Sequence, residues 1–165
     1  MTDASRNTAT DTSTETGRLI SDAGYDLTPL PDAQVERLAQ DLTDEEAQVI
    51  LRKGTEAPFC GNLIDNKTDG TYVCRLCNLP LFASNAKFDS GTGWPSFFQP
   101  VDAAHVKTER DASIFMMERT EILCARCGGH LGHVFGDGPA PTGKRFCVNS
   151  ASLEFIESGQ PMPEQ

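Results

Sequence analysis

Two C-x-x-C pairs, Cys74–Cys77 and Cys124–Cys127, are the feature that most constrains the fold of this chain. Residues 78–123 separate the pairs, so an ion bound by both pairs closes a long loop and offsets its entropic cost. Four thiolates fill the tetrahedral coordination of a structural zinc site, and such a closed site performs no chemistry on a substrate. We therefore predict one structural zinc ion (Zn²⁺) per chain, bound by Cys74, Cys77, Cys124 and Cys127, with iron as the alternative metal.

Each pair has two other interpretations, a redox-active dithiol or a coincidental spacing. A thioredoxin-like C-x-x-C lies in a βαβ context, which neither pair has. A metal site is the stronger interpretation, although a zinc ribbon alone also fits a module that binds protein or nucleic acid. Cys60 and Cys147 lie outside both pairs and are the candidates for reactive chemistry.

Composition and charge exclude several functional classes. The formal net charge of −10 argues against a general nucleic-acid-binding protein, because phosphate contacts require clustered Lys and Arg. The sequence has no apolar run near the ~20 residues of a membrane span. Residues Met1–Gly17 are polar, without the apolar segment of a signal peptide or the Arg-rich character of a transit peptide. We therefore expect a cytoplasmic protein with no nucleic-acid or membrane partner.

The pattern along the chain predicts one folded domain with additions at both ends. Residues 1–25 lack apolar periodicity, which indicates a disordered polar tail. A helical segment at 26–53 then precedes a β-rich domain at 54–157. Residues 158–165 form a short second tail.

Apolar spacing and capping residues predict two helices in the N-terminal segment. Val35, Leu38 and Leu42 recur at helical spacing, and Thr43–Glu46 has the composition of a capping box that opens a second helix. We expect this second helix to end at Gly54. Beyond Gly54, short apolar segments alternate with Gly, Pro, Asn and Asp. This pattern predicts a mainly β fold, a small antiparallel β-sheet or barrel fronted by the helices.

Three further segments, Gly91–Phe97, His130–Phe135 and Arg145–Ser150, carry residues that a plain zinc ribbon does not need. The first contains Trp94, the only tryptophan of the chain, which is either a wall for a small apolar ligand group or a core aromatic. The second contains two histidines three residues apart. Each of these is a candidate general acid or base near neutral pH, or a structural residue.

The third segment places Cys147 between Arg145 and Asn149. In a strand these three side chains share one face, whereas Phe146 and Val148 point to the opposite face and the core. A cationic neighbour favours the thiolate, which is the nucleophilic form of cysteine. The alternative interpretation of Cys147 is a buried, inert thiol.

Together these segments resemble a known family. The runs GTGWPSF, CARCGGHLGHVFGDGP and RFCVNSASL, with both cysteine pairs in place, are similar to those of the type B methionine sulfoxide reductases. Members of that family reduce the R epimer of methionine S-oxide in proteins. The resemblance extends from about Gly54 to Leu153 and includes several independent motifs in the family's order.

The resemblance implies a role for each matching residue. Cys147 matches the catalytic nucleophile, which attacks the sulfoxide and becomes a sulfenic acid. His133 matches the histidine that supplies protons to the sulfoxide oxygen, and Trp94 matches the aromatic that receives the substrate methyl group. The residues that match the polar lining of the substrate pocket are His130, Asp137, Arg145 and Asn149.

The chain departs from the family pattern at Thr92, where many members carry a resolving cysteine. Cys60 instead occupies a position that some members use for an alternative resolving cysteine. Our hypothesis is that Cys60 attacks the sulfenic acid of Cys147 and that thioredoxin reduces the resulting disulfide. The alternative is that Cys60 is a packed small residue and that a small thiol reduces the sulfenic acid directly.

Two rival functions remain at this point. One is a zinc-ribbon binding module whose unpaired cysteines serve only packing, and basic surface patches would favour it. The other keeps the fold but takes free methionine sulfoxide or another small sulfoxide as substrate. We expect a monomeric enzyme that acts on proteins or peptides containing methionine-R-sulfoxide.

Overall fold

The computed structural model describes residues 18–114 and 117–165, which form two helices and nine strands. The helices are α1 (Asp32–Ala39) and α2 (Asp44–Ile50). The strands are β1 (Gly70–Cys74), β2 (Pro80–Ala83), β3 (Lys87–Phe88), β4 (Ser96–Phe97), β5 (Val106–Ile114), β6 (Met117–Cys124), β7 (His130–Phe135), β8 (Arg145–Val148) and β9 (Leu153–Glu157). The predicted mainly β class is confirmed.

The strands form two antiparallel sheets. The smaller sheet has the order β2-β1-β9, and the larger sheet has the order β3-β4-β8-β7-β6-β5. Aromatic side chains from both sheets meet in one core. The rings of Phe82 and Phe97 stack at 4.5 Å, and Tyr72 packs edge-on against Phe97 at 5.1 Å. Burial of large apolar rings therefore joins the two sheets face to face.

The predicted capping box of α2 is present. Thr43 Oγ1 accepts from the Glu46 amide at 3.1 Å, and Glu46 Oε1 accepts from the Thr43 amide at 2.9 Å. The helix ends earlier than predicted, at Ile50, and Lys53 rather than Gly54 adopts the left-handed conformation, with φ of 59°. The Gly54 amide instead donates to the Gln48 carbonyl at 2.9 Å, and a Cβ at residue 54 would crowd that carbonyl.

The residues before α1 contact the β domain. Ile20 and Asp26 form an isolated β-bridge, and the Ser21 hydroxyl bonds to Nε2 of the buried His105 at 2.8 Å. Arg126, in the second cysteine pair, bonds to Thr28 O at 3.3 Å. Residues 18–25, which the sequence pattern placed in the polar tail, thus lie against the folded domain. The rest of that predicted tail, residues 1–17, lies outside the described residues.

Neither described helix is long and apolar enough to cross a membrane.

Strands β7 and β8 approach each other closely at Gly132. This residue pairs with Val148, and a Cβ atom built on Gly132 would overlap the carbonyl oxygen of Cys147. The overlapping atom belongs to the backbone, so only a shift of one strand relieves the contact.

We predict that Gly132→Ala lowers the free energy of unfolding by about 1–3 kcal/mol, because overpacking forces the paired strands apart. Urea denaturation measures this change. Gly136→Ala is the matched control, because a Cβ at Gly136 meets no atom within 4 Å. Equal stability of the two variants would contradict the close approach of β7 and β8.

Candidate active site and metal centre

His133 and Cys147 are paired directly across strands β7 and β8. Glu121 pairs with His133 on the other side of β7, and Ser96 pairs with Cys147 on the other side of β8. Opposite residues in antiparallel strands share a face, with Cβ atoms about 4.5–5.5 Å apart. The sheet register therefore places an imidazole beside the Cys147 thiol.

This face of the sheet forms the wall of a cavity of about 210 Å³. Cys147 and His133 both line it, together with the half-buried Trp94. The complete lining is Thr55, Thr92, Trp94, Arg119, Gly132, His133, Phe135, Arg145, Cys147, Val148 and Asn149. Five of the eight predicted catalytic and substrate-binding residues thus meet at one cavity, namely Trp94, His133, Arg145, Cys147 and Asn149.

Burial raises the pKa of the Cys147 thiol. The Arg145 charge and a hydrogen bond with Thr92 act in the opposite direction, but burial outweighs them. The cationic neighbour expected from the sequence is present, but it does not determine the direction of the shift. Burial therefore opposes formation of the Cys147 thiolate in the free protein.

Asp137 holds Arg145 from outside the cavity. Arg145 donates from Nε to Asp137 Oδ1 at 2.9 Å and from Nη2 to Oδ2 at 3.2 Å, and its guanidinium lies 4.5 Å from the centre of the Phe135 ring. The hydrogen bond from Arg145 lowers the pKa of the exposed Asp137 carboxyl. Asp137 itself does not line the cavity. Its role is to fix the guanidinium of Arg145, which does line the cavity.

Asp111 holds the ring of His133. His133 Nε2 lies 2.8 Å from Asp111 Oδ2, and Arg119 Nη2 lies 3.2 Å from the same oxygen. A carboxylate acceptor fixes a proton on Nε2, so Nδ1 is the nitrogen that gains or loses a proton. Arg119 also lines the cavity, and its buried Nε has no hydrogen-bond partner in the described structure.

His130 is not among the residues that line the cavity. A β-bulge between Ile122 and Leu123 brings His130 to the same face as His133, and their rings are 5.7 Å apart. His130 is buried, with Nδ1 2.6 Å from Glu121 Oε2, and burial lowers its pKa. Lys53 Nζ reaches the other oxygen of Glu121 at 3.1 Å. His130 Nδ1 is thus occupied by Glu121, and the role of His130 in substrate binding stays a prediction.

Trp94 and Asn149 are both tied to the backbone of Glu56. Trp94 Nε1 donates to the Glu56 carbonyl at 3.0 Å, and the Glu56 amide donates to Asn149 Oδ1 at 3.0 Å. Asn149 Nδ2 in turn donates to the Leu131 carbonyl at 3.0 Å. These bonds fix the orientation of both side chains at the cavity.

Cys60 is exposed and does not line the cavity. Its loop is nevertheless tied to the turn that carries Trp94, because the Phe59 amide donates to the Gly93 carbonyl at 2.8 Å. Phe59 adopts a left-handed conformation with φ of 65°, which an aromatic residue rarely does. The structure thus places Cys60 next to the Trp94 turn but outside the cavity wall.

The four paired cysteines converge as predicted. Their sulfur atoms all lie within 4.8 Å of one another, with Cys74 and Cys127 at 3.6 Å and Cys77 and Cys124 at 3.4 Å. A tetrahedron with metal–sulfur bonds of about 2.3 Å has edges of about 3.8 Å, so this cluster matches such a site closely.

The two cysteine turns have the same local structure. Asn78 and Gly128 follow their pairs with φ of 69° and 75°, and each donates its amide to the carbonyl of the first cysteine. Within the cluster, hydrogen bonds lower the pKa of Cys124 and raise the pKa of Cys74 and Cys77. A cluster of three buried thiols and one half-buried thiol therefore carries several thiolates only with a bound cation.

Fold and site together define a two-sheet β protein with a cluster of four cysteines and a separate cavity lined by a thiol and an imidazole. A SelR domain model matches residues 42–157. Several relatives carry the name peptide methionine sulfoxide reductase MsrB, among them the following three. The protein from Caulobacter vibrioides is 57% identical over 88% of this chain and 91% of its own length. The protein from Xylella fastidiosa strain M23 is 57% identical over 86% and 90%, and that from Teredinibacter turnerae is 59% identical over 70% and 85%. The chain belongs to the SelR-domain family.

We predict that Cys124→Ser abolishes metal binding and unfolds the protein at 25 °C. Structural zinc binding contributes about 10–16 kcal/mol in small zinc-binding peptides, which is comparable to the whole stability of a domain. Metal analysis and circular dichroism measure the two effects. Cys60→Ser is the matched control and retains one metal ion per chain. Full metal content in Cys124→Ser would contradict the four-thiolate site.

Proposed function

We propose that this chain reduces the R epimer of methionine S-oxide in proteins and peptides. The observation that carries the proposal is the direct pairing of His133 with Cys147 on the wall of a cavity that also contains Trp94. The names of the relatives support the reaction class. In the proposed reaction, Cys147 is the nucleophile and His133 is the proton donor.

The first step transfers oxygen from the substrate to Cys147. Protonation of the sulfoxide oxygen makes the sulfur electrophilic, and the Cys147 thiolate supplies the electron pair that reduces it. The sulfur–oxygen bond of the substrate breaks, methionine leaves, and Cys147 becomes a sulfenic acid. Two electrons pass from the cysteine sulfur to the substrate sulfur, so no further reductant enters this step.

His133 is suited to move the proton in this step. Its Nε2 is fixed against Asp111, so the proton exchanges at Nδ1, and the ring is held beside Cys147 by the β7–β8 pairing. A positioned histidine of this kind accelerates proton transfer by about 10²–10⁴-fold. Asp111 and Arg119 are therefore proposed to orient His133.

The remaining cavity residues position the substrate. Trp94 supplies an aromatic face for the methyl group, and its ring is fixed through Nε1. Arg145 and Asn149 present polar groups at the same wall, with Asp137 holding Arg145. His130, whose ring lies 5.7 Å from that of His133, is also proposed to be a substrate-binding residue.

Cys60 is proposed to resolve the sulfenic acid. Its thiol displaces water from the Cys147 sulfenic acid to form a disulfide, which a dithiol protein such as thioredoxin then reduces. A disulfide requires Cα atoms within about 7 Å, so the Cα atoms of Cys60 and Cys147 must lie that close in this step. Thr92, which lines the cavity at the other known resolving position, has no thiol to do so.

The metal centre is proposed to hold zinc through Cys74, Cys77, Cys124 and Cys127 as a closed structural site. Its donor set of four thiolates is the one that zinc prefers, and it leaves no open position for substrate. We further propose a monomeric, cytoplasmic enzyme in which residues 54–157 form the catalytic domain.

The first test is turnover of peptide-bound methionine sulfoxide, with R and S epimers assayed separately and dithiothreitol as reductant. We expect reduction of the R epimer only, and its loss by at least about 10³-fold in Cys147→Ser, because the oxygen acceptor is removed. Free methionine sulfoxide, assayed in parallel, separates the peptide substrate from the small-molecule alternative. Absence of turnover on both epimers by folded, metal-loaded protein would favour a binding module.

A second prediction concerns Cys60. We expect Cys60→Ser to form one methionine per enzyme in a single turnover, because the first step uses only Cys147. Turnover with thioredoxin then falls by at least about 10-fold, whereas turnover with dithiothreitol persists. Mass spectrometry of the oxidised variant should detect a sulfenic acid on Cys147 and no intramolecular disulfide. A disulfide in this variant would exclude Cys60 as the resolving residue.

A further inference from the structure

Glu56 is a buried carboxylate that the reaction above does not use. It is 6% exposed, and its two oxygens accept from successive backbone amides, Oε2 from Ser150 at 2.8 Å and Oε1 from Ala151 at 3.0 Å. These amides begin the short 3-10 helix Ser150–Ser152, directly after β8 and Cys147. Charge-assisted bonds of this type are about twice as strong as neutral ones, so they fix the end of β8 firmly.

Glu56 takes the capping role that the chain would otherwise give to Asn149. Asn149 is the N-cap residue of this 3-10 helix, and asparagine is a preferred N-cap, but its side chain makes no capping bond there. The amide of Glu56 and the carbonyl of Leu131 occupy the Asn149 side chain instead. Capping by Glu56 thus leaves Asn149 available to line the cavity.

The same residue also fixes the other side of the cavity. The Glu56 carbonyl accepts from Trp94 Nε1 at 3.0 Å. Glu56 lies four residues before Cys60, and Gly61 packs so tightly against it that a Cβ at Gly61 would lie 2.5 Å from Glu56 Oε2. One residue therefore links three parts of the site: the strand of Cys147, the ring of Trp94 and the loop of Cys60.

We propose that Glu56 is a positioning residue that holds Cys147, Trp94 and the Cys60 loop in one fixed arrangement. This inference rests on the proposed function for its effect on turnover, but the arrangement itself is measurable without substrate. A misplacement of about 1 Å at a reacting group costs up to about 100-fold in rate. Loss of the Glu56 carboxylate should therefore lower the rate of turnover.

Two variants separate the charge of Glu56 from its position. Glu56→Gln keeps the side-chain shape, removes the charge and places an amide donor against a backbone amide. Gly61→Ala keeps the charge but displaces the carboxylate, because the added Cβ overlaps Ser150 Oγ and presses on Glu56 Oε2. Glu46→Gln is the matched control. It also removes a structural carboxylate, one that caps α2 and accepts a hydrogen bond from Arg75, but this carboxylate does not contact the cavity.

Three readouts test the proposal. Trp94 is the only tryptophan, so its fluorescence reports on this site alone, and we expect a red shift in both variants and none in Glu46→Gln. Turnover of the R-sulfoxide peptide should fall by about 10-fold or more in both. The third readout is the pH dependence of Cys147 alkylation by iodoacetamide, followed by mass spectrometry.

The alkylation profile distinguishes positioning from an effect on ionisation. Burial is the main cause of the raised pKa of Cys147, and the Glu56 charge adds to it in the same direction. Glu56→Gln should therefore shift the alkylation midpoint to lower pH while turnover falls, so the lost turnover cannot come from a less readily ionised thiol. In Gly61→Ala the charge persists, so turnover should fall without that shift.

Unchanged Trp94 emission in both folded variants, or turnover within two-fold of the unsubstituted protein in both, would overturn the positioning role. If the unsubstituted protein has no turnover, the proposed function fails. Trp94 emission and Cys147 alkylation then still decide the role of Glu56.

Discussion

The four-cysteine cluster is the constraint on which the rest of the structure depends. The first cysteine turn joins β1 to β2 in the smaller sheet, and the second joins β6 to β7 in the larger sheet. Because the two sheets share no strand in the described chain, the cluster and the aromatic core set their relative position. Strand β7 begins directly after the second turn, so the cluster also fixes the point from which His133 is placed. The four-cysteine cluster therefore contributes both to the stability of the fold and to the geometry of the cavity.

Local sequence patterns predicted much of this architecture. The clustering of the four cysteines followed from their spacing, and the start of α2 followed from its capping box. Strand alternation predicted that Arg145 and Cys147 share one face. Each of these depends on residues close together in the chain. The end of α2 was misplaced because Lys53, rather than the glycine after it, takes the left-handed conformation.

The supporting residues of the site were not predicted, and the reason is physical. Asp111 and Arg119 reach His133 only through the register of the β5–β6–β7 sheet, and Glu56 reaches Ser150 only through tertiary packing. A spacing of three residues places two histidines on opposite faces of a regular strand, and only the bulge in β7 brings His130 to the side of His133. A hairpin alignment of β5 with β6 was the one signal that would have paired Asp111 with Arg119.

The raised pKa of Cys147 restricts how the proposed reaction can begin. Burial disfavours the thiolate, so the thiol must lose its proton as it attacks, whereas the sulfoxide oxygen must gain one. His133 lies beside Cys147, and with Nε2 bound to Asp111 it exchanges protons through Nδ1. One imidazole can then accept the thiol proton and deliver it to the oxygen, so the step needs no net proton from solvent. Proton transfer through His133 therefore offsets the effect of burial, which disfavours the Cys147 thiolate.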